Sequence, residues 1–183
     1  MFFKQQQVID NLKRIGKIKL PEPLPIIGSE KTERYRNKIE FSFSNKRWLT
    51  DEEVSEDVKY EQMNGVGFHI PGAFDKVLDI HECHLMDELQ DRVRNGVRDF
   101  ANKNHISFFD LRQQVGVLRD MMFRTSNSGE AMLVFQFHFT NEQEQTESEL
   151  VLSYIDCEFP EISTIVWVNN LTCNDTIGDL ETH

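Results

Sequence analysis

A chain of 183 residues and 21.5 kDa, with 39% hydrophobic and 28% charged side chains, is long enough for one compact domain with a sizeable core, or one domain with appendages. A net charge of −11 and a pI near 5.0 exclude a surface that coats nucleic acid everywhere, although they leave room for a local basic face. No run of 18 apolar residues occurs, and the start Met1-Phe2-Phe3-Lys4 lacks the apolar stretch of a signal peptide, so neither a membrane span nor secretion is indicated. Cys83, Cys157 and Cys173 are odd in number and widely spaced, which fits a reducing cytoplasm better than a disulfide framework.

Charge is distributed unevenly. Residues 1–48 hold eleven basic and five acidic side chains, a balance of +6, whereas residues 49–183 carry −17. Such asymmetry suggests one face that meets an anion and a remaining surface that keeps the protein in solution. The alternative is that the basic segment pairs with acidic neighbours in the fold.

Lys4 to Ile15 has Val8, Ile9, Leu12 and Ile15 at helical spacing, with Gly16 placed to stop it. Pro21, Pro23 and Pro25 then impose an extended connector. From Tyr35 the period becomes two: Tyr35, Asn37, Ile39, Phe41 and Phe43 on one side, Arg34, Arg36, Lys38, Glu40, Ser42 and Ser44 on the other. Residues 50–64 are acidic, weakly periodic and read as a loop. Residues 65–80 supply two short strands around the Pro71-Gly72 turn, and Met86 to Lys103 is the clearest helix. Strands Val117–Thr125 and Ala131–Phe139 flank the turn Asn127-Ser128-Gly129. Thr146 and Glu149 fit a capping box opening a helix with Leu150, Val151, Tyr154 and Ile155 inward, and Ile162–Asn169 is a last strand.

This order predicts an α+β domain: a mainly antiparallel sheet of about six strands, barrel-like in one alternative, with about three packing helices. The expected organisation is an N-terminal helix and the start of the connector over 1–20, a central α+β domain over 21–171, and a polar linker over 172–183.

No GxGxxG, P-loop, HExxH, CxxC or GxSxG run occurs. Gly65-Val66-Gly67 is too short for a nucleotide loop and marks a strand start or close packing. The segment His81-Glu82-Cys83-His84 offers ligand-type side chains, yet a four-coordinate site needs ligands from more than one element. Cys157 reads as a small core residue, and Cys173 has no basic neighbour in sequence to activate it. No catalytic residue is identified in the chain. The stronger signal is Arg34-Tyr35-Arg36-Asn37-Lys38, whose Arg34, Arg36 and Lys38 would face phosphates, with Arg47 and Trp48 adding a stacking platform for an exposed base.

Several runs together resemble the family of SAM-dependent RNA (uracil-5-)-methyltransferases. They are Phe3-Lys4-Gln5-Gln6-Gln7-Val8 through Arg14-Ile15-Gly16, then Tyr35-Arg36-Asn37-Lys38 followed by Glu40-Phe41-Ser42-Phe43. Gly67-Phe68-His69 with Pro71-Gly72 and Phe74, the run Val77-Leu78-Asp79-Ile80 before Cys83-His84-Leu85, and Leu118-Arg119 complete the set. The resemblance runs from about residue 3 to the end. It implies a parent with an N-terminal RNA-binding barrel, this central domain, and a C-terminal Rossmann-like domain that binds S-adenosylmethionine. In such a parent a cysteine attacks C6 of the uracil and a glutamate removes the C5 proton. The family's Pro-Pro-Arg and cysteine segment, glycine loop and base have no counterpart here, so the chain is expected to be a catalytically incompetent central portion, with no cofactor of its own.

The same resemblance makes Cys83 a candidate fourth ligand of a [4Fe-4S] cluster, in a parent that supplies three more cysteines. The implied partner is RNA, ribosomal rather than transfer RNA, and no membrane. A stand-alone RNA-binding or adaptor module, and a purely structural interaction domain, are the alternatives.

Overall fold

The computed structural model describes residues 1–56 and 59–183 and divides them into two units, Met1–Glu33 and Arg34–His183. In the first unit, helix α1 (Phe2–Asp10) runs into one π-helical turn, Asn11–Ile15, and Gly16 closes it with its N–H on the Asn11 carbonyl at 2.9 Å. The Pro21–Pro25 segment is extended, as three prolines require, and Gln5 pins it by hydrogen bonds to Leu24 and Ile26. No residue of α1 or its π turn is buried: Phe2, Phe3, Val8 and Ile15 are all more than half exposed.

The second unit holds a six-stranded sheet in the order β3-β2-β1-β4-β5-β6. The strands are β1 (Lys38–Ser44), β2 (Gly65–Ile70), β3 (Ala73–Asp79), β4 (Leu118–Thr125), β5 (Ala131–Phe137) and β6 (Ile162–Asn169). All neighbours pair antiparallel except β5 and β6, which run parallel because the long helix α4 (Glu142–Glu158) carries the chain back between them. The α+β expectation holds, and the sheet is open, so the barrel alternative does not.

Period-two alternation sorts the strand residues onto two faces. Ile39, Phe41, Phe43, Met121, Phe123, Leu133, Phe135 and Phe137 are 0–3% exposed and form one core with Val93, Val97 and Ala101 of helix α3 (Glu88–Lys103) and Val151 and Ile155 of α4. Each of these large side chains contributes about 1.5–3 kcal/mol by leaving water. Gly96 of α3 permits the crossing with α4, since a Cβ there would lie 2.8 Å from both Phe159 Cζ and Tyr154 Oη. Gly67 is the tightest position: a Cβ would meet the Leu78 carbonyl oxygen at 2.1 Å, which makes the Gly65-Val66-Gly67 run a close-packing device.

Four sequence expectations need correction. The strand begins at Lys38, not Tyr35, because Arg34 adopts a left-handed φ of 52° and the N–H groups of Arg34 and Arg36 donate to the carbonyls of His84 and Leu85. The acidic stretch after Thr50 opens with a short helix, α2 (Asp51–Ser55), under a complete Thr50/Glu53 capping box. Helix α4 starts at Glu142 under Asn141, and the Thr146 hydroxyl donates back to the Glu142 carbonyl instead of capping, while Leu150 stays 46% exposed. Cys157 is exposed, not a core residue.

Candidate nucleic-acid interface

Two of the cations that attracted attention in the sequence are engaged by carboxylates from other elements. Arg34 reaches Glu88 Oε1 at 3.1 Å, Glu82 at 3.8 Å and the Met86 carbonyl at 3.4 Å, which ties the turn before β1 to the start of α3. Arg47 meets Glu53 at 2.7 Å and lies 4.8 Å over the Tyr60 ring. The hydrogen bond from Arg47 holds the Glu53 carboxyl down at about 2 and raises the Arg47 guanidinium in turn. Lys38 contacts Glu40, its neighbour two residues on, at 2.6 Å. Arg36 is exposed and has no ion-pair partner among the described residues. Trp48 is 36% exposed, with Lys76 Nζ 5.3 Å from its ring centroid, so its ring is paired with Lys76 and not with Arg47.

Cys83 is only 6% exposed and packs in the core. Its N–H donates to Asp91 Oδ1 and its carbonyl accepts from Gln90, both of α3. Buried Arg94 stabilises the same corner, bonded to Gln90, Asp91 and the Ile80 carbonyl and stacked 4.6 Å over Phe41, with burial lowering its pKa. No group of three His, Cys, Asp or Glu side chains suited to a metal occurs among the described residues. His81 instead faces Arg98 and Asp79, and His84 faces Glu82. One enclosed thiol does not fit an iron–sulfur cluster by itself. The strand-to-helix passage into the parallel pair, β5 to α4 through His138–Asn141, contains no glycine with which to cradle a nucleotide-like ligand.

The face of the sheet turned away from α3 and α4 carries a groove of about 580 Å³. Register places its side chains in three rows across β1, β4 and β5. Lys38 lies opposite Arg124, Glu40 opposite Met122 and then Val134, and Ser42 opposite Asp120 and then Gln136. Gly67, Phe68 and His69 of β2 also line it, and residues 175–178 form a further wall. That wall is held in place by Arg119, which is 1% exposed and donates to the carbonyls of Asn170, Thr172 and Asn174 and to Asp175 Oδ1, all within 2.7–2.9 Å. Burial pushes the Asp120 carboxyl up to about 7. Asp175 and Glu40 add to the rise, and Ser42 and Arg119 oppose it.

Sequence reasoning missed Arg94, Arg119, Asp120 and Arg124. The signal for two of them was present as a charged pair, Arg119-Asp120, set inside the otherwise apolar run from Val117 to Phe123. Buried charges of this kind need partners, and here the partners come from the segment that reads as a linker.

No protein-family model matches the chain. A Bacteroides thetaiotaomicron protein named as an uncharacterized RNA methyltransferase is 55% identical over 181 residues, covering 99% of this chain and 40% of that protein. One from Porphyromonas gingivalis with the same name is 48% identical over 183 residues, covering 97% and 39%. Among solved structures, the Pyrococcus abyssi tRNA (uracil-54, C5)-methyltransferase in complex with S-adenosyl-L-homocysteine matches with a TM-score of 0.59 at 22% identity, over 94% of this chain and 35% of that one. At that identity the likeness bears on the fold. The chain spans about two fifths of the length of the curated relatives it matches, and over its own whole length it is a relative of proteins that carry the name RNA methyltransferase.

Proposed function

We propose that this chain is the central, RNA-contacting part of a SAM-dependent RNA (uracil-5-)-methyltransferase, with ribosomal RNA as its substrate. The observation that carries the reading is the match, at 55% identity over 99% of the chain, to a protein named as an uncharacterized RNA methyltransferase. The likeness in fold to a uracil-C5 enzyme supports the choice of base and of atom. In such an enzyme the bound S-adenosylmethionine supplies the methyl group.

The chemistry would belong to residues beyond the two fifths of the relatives that this chain spans. Its own contribution is to bind and orient RNA. Arg36 and Lys38 serve as backbone contacts, while Arg34 and Arg47 hold the loops on either side of β1 through Glu88 and Glu53. Cys83 would be an iron–sulfur ligand only in a parent that brings three more cysteines to it.

The test is deletion of the gene, followed by mass-spectrometric mapping of 5-methyluridine in ribosomal and transfer RNA. Loss of one methylated uridine from ribosomal RNA is expected. Loss confined to transfer RNA would overturn the ribosomal assignment, and no loss from either would overturn the methyltransferase reading.

A further inference from the structure

The open face of the sheet has a polarity that α3 and α4 do not explain. At one end, Lys38 and Arg124 stand directly opposite each other on antiparallel strands. Like charges in that relation repel. Lys38 is partly relieved by Glu40, but Arg124 is exposed and has no carboxylate partner among the described residues. Arg36, two residues before Lys38, is likewise exposed and unpaired among them. In the next row, beside Glu40, Met122 and Val134 make an apolar floor, and in the third, Ser42, Asp120 and Gln136 offer hydrogen-bonding groups, Gln136 keeping one amide hydrogen and one lone pair beyond its bonds to the Asp175 carbonyl and the Asn170 amide. Cations, then an apolar patch, then donors and acceptors follow the order of phosphate, base plane and base edge. The groove volume of about 580 Å³ lies inside the roughly 300–1,000 Å³ range of small-ligand sites.

We propose that this groove seats one unpaired nucleotide of RNA, its phosphate between Lys38 and Arg124 and its base on Met122 and Val134, with the base edge toward Asp120 and Gln136. The proposal deepens the RNA-binding reading above and rests on it, while adding a site and a residue, Arg124, that the basic stretch of the sequence does not include. Charge complementarity selects the occupant, because the repelling Lys38 and Arg124 are relieved by an anion placed between them. A single strand is favoured, since a paired base must first be unpaired and unstacked, at a cost in free energy, before it can enter a groove of this size. Near neutrality the Asp120 carboxyl is close to half protonated, so it can donate to a base carbonyl as well as accept from an amine.

The experiment measures binding of the 183-residue chain to a fluorescent ten-nucleotide oligouridylate and to a ten-base-pair RNA duplex, at low salt, together with denaturant midpoints. The wild type should bind the single strand at least tenfold more tightly than the duplex. Arg124→Glu should weaken single-strand binding about tenfold while raising the denaturant midpoint, because it removes the opposition with Lys38. A role in the fold alone would lower that midpoint. Met122→Ala should erode the single-strand preference without changing duplex affinity. Equal binding of strand and duplex, or single-strand affinity within twofold of wild type in Arg124→Glu, would overturn the proposal. So would self-association that Arg124→Glu abolishes, which would make the face a contact between copies. Failure of the gene-deletion test with the single-strand preference intact would overturn only the methyltransferase reading.

Discussion

The guanidinium of Arg119, inside the sheet, and the carboxylate of Asp175, at the surface, meet at 2.9 Å across fifty-six residues of sequence. With three backbone carbonyls bound to the same side chain, this contact converts a polar segment into a fixed wall of the groove. Arg119→Ala would strand those acceptors and leave Asp120 without its nearest cation. A cost of roughly 3–5 kcal/mol is expected. Asp175 is 61% exposed, so Asp175→Asn should cost less than about 1 kcal/mol. Urea midpoints check both, and limited proteolysis of Arg119→Ala should show early cleavage between residues 171 and 178. Equal, small effects of the two substitutions would refute the anchoring role.

The pH dependence of stability should carry two opposite signatures. The folded-state pKa of Asp120 is raised to about 7, so its favourable contribution is complete below about pH 4 and disappears as pH rises through 7. The change amounts to at most about 4 kcal/mol. Asp110 behaves inversely. Burial would raise it, yet hydrogen bonds from Lys46, Gln113, Asn45 and Arg112 hold it at about 2, so its contribution is present above about pH 4 and lost as pH falls toward 2. That contribution is about 2 kcal/mol. Denaturation between pH 4 and 8 should show falling stability in the wild type and a flatter profile in Asp120→Asn. Unchanged slopes in Asp120→Asn would refute the assignment.

Close packing at two glycines gives a third expectation. Gly67→Ala must move the β2–β3 pairing, because the new methyl group would collide with backbone, and should cost about 2–3 kcal/mol or more. Gly96→Ala collides only with the ring ends of Phe159 and Tyr154, which can shift, and its better helix propensity returns part of the loss. It should cost less than Gly67→Ala in the same thermal-melting series. The reverse order would show that β2 and β3 yield more readily than the α3–α4 crossing.

These cases mark where local sequence reading works. The alternation Ile39, Phe41, Phe43 and the run Leu133, Phe135, Phe137 announce strands because the signal is contained in the strand itself. The stripe Leu89, Val93, Val97, Phe100 announces α3 for the same reason. Helix α4 begins earlier than its pattern suggests because Glu142 to Gln145 are good helix formers with no apolar marker, and Asn141 caps them. Arg119 was not legible, since each of its hydrogen-bond partners lies more than fifty residues away. The basic stretch was legible as charge. Which of its members would be tied to carboxylates depended on α2 and α3 being folded against it.

The expectation that the 183 residues are catalytically incompetent by themselves is directly measurable. Incubation with labelled S-adenosylmethionine and total RNA should give background incorporation if, as the resemblance implies, the groups that activate the uracil are not among these residues. Incorporation that disappears on Cys157→Ser or Cys173→Ser would reverse that conclusion, since both thiols are exposed and available for attack.

Arg34 and Arg36, one residue apart from being neighbours, should separate cleanly in function. Arg34 is two-thirds buried and bonded to Glu88, so Arg34→Ala should cost about 1 kcal/mol of stability, the partner being largely exposed and screened. It should leave the salt dependence of RNA binding unchanged. Arg36→Ala should leave stability within about 0.5 kcal/mol of wild type. If Arg36 touches one phosphate, its removal should flatten the slope of log affinity against log salt on single-stranded RNA by about 0.7. Both quantities come from the same two proteins, by urea titration and by binding at four salt concentrations. A flattened slope in Arg34→Ala with an unchanged urea midpoint would mean that the pair with Glu88 opens to admit RNA, and the division of labour would be the opposite of the one drawn here.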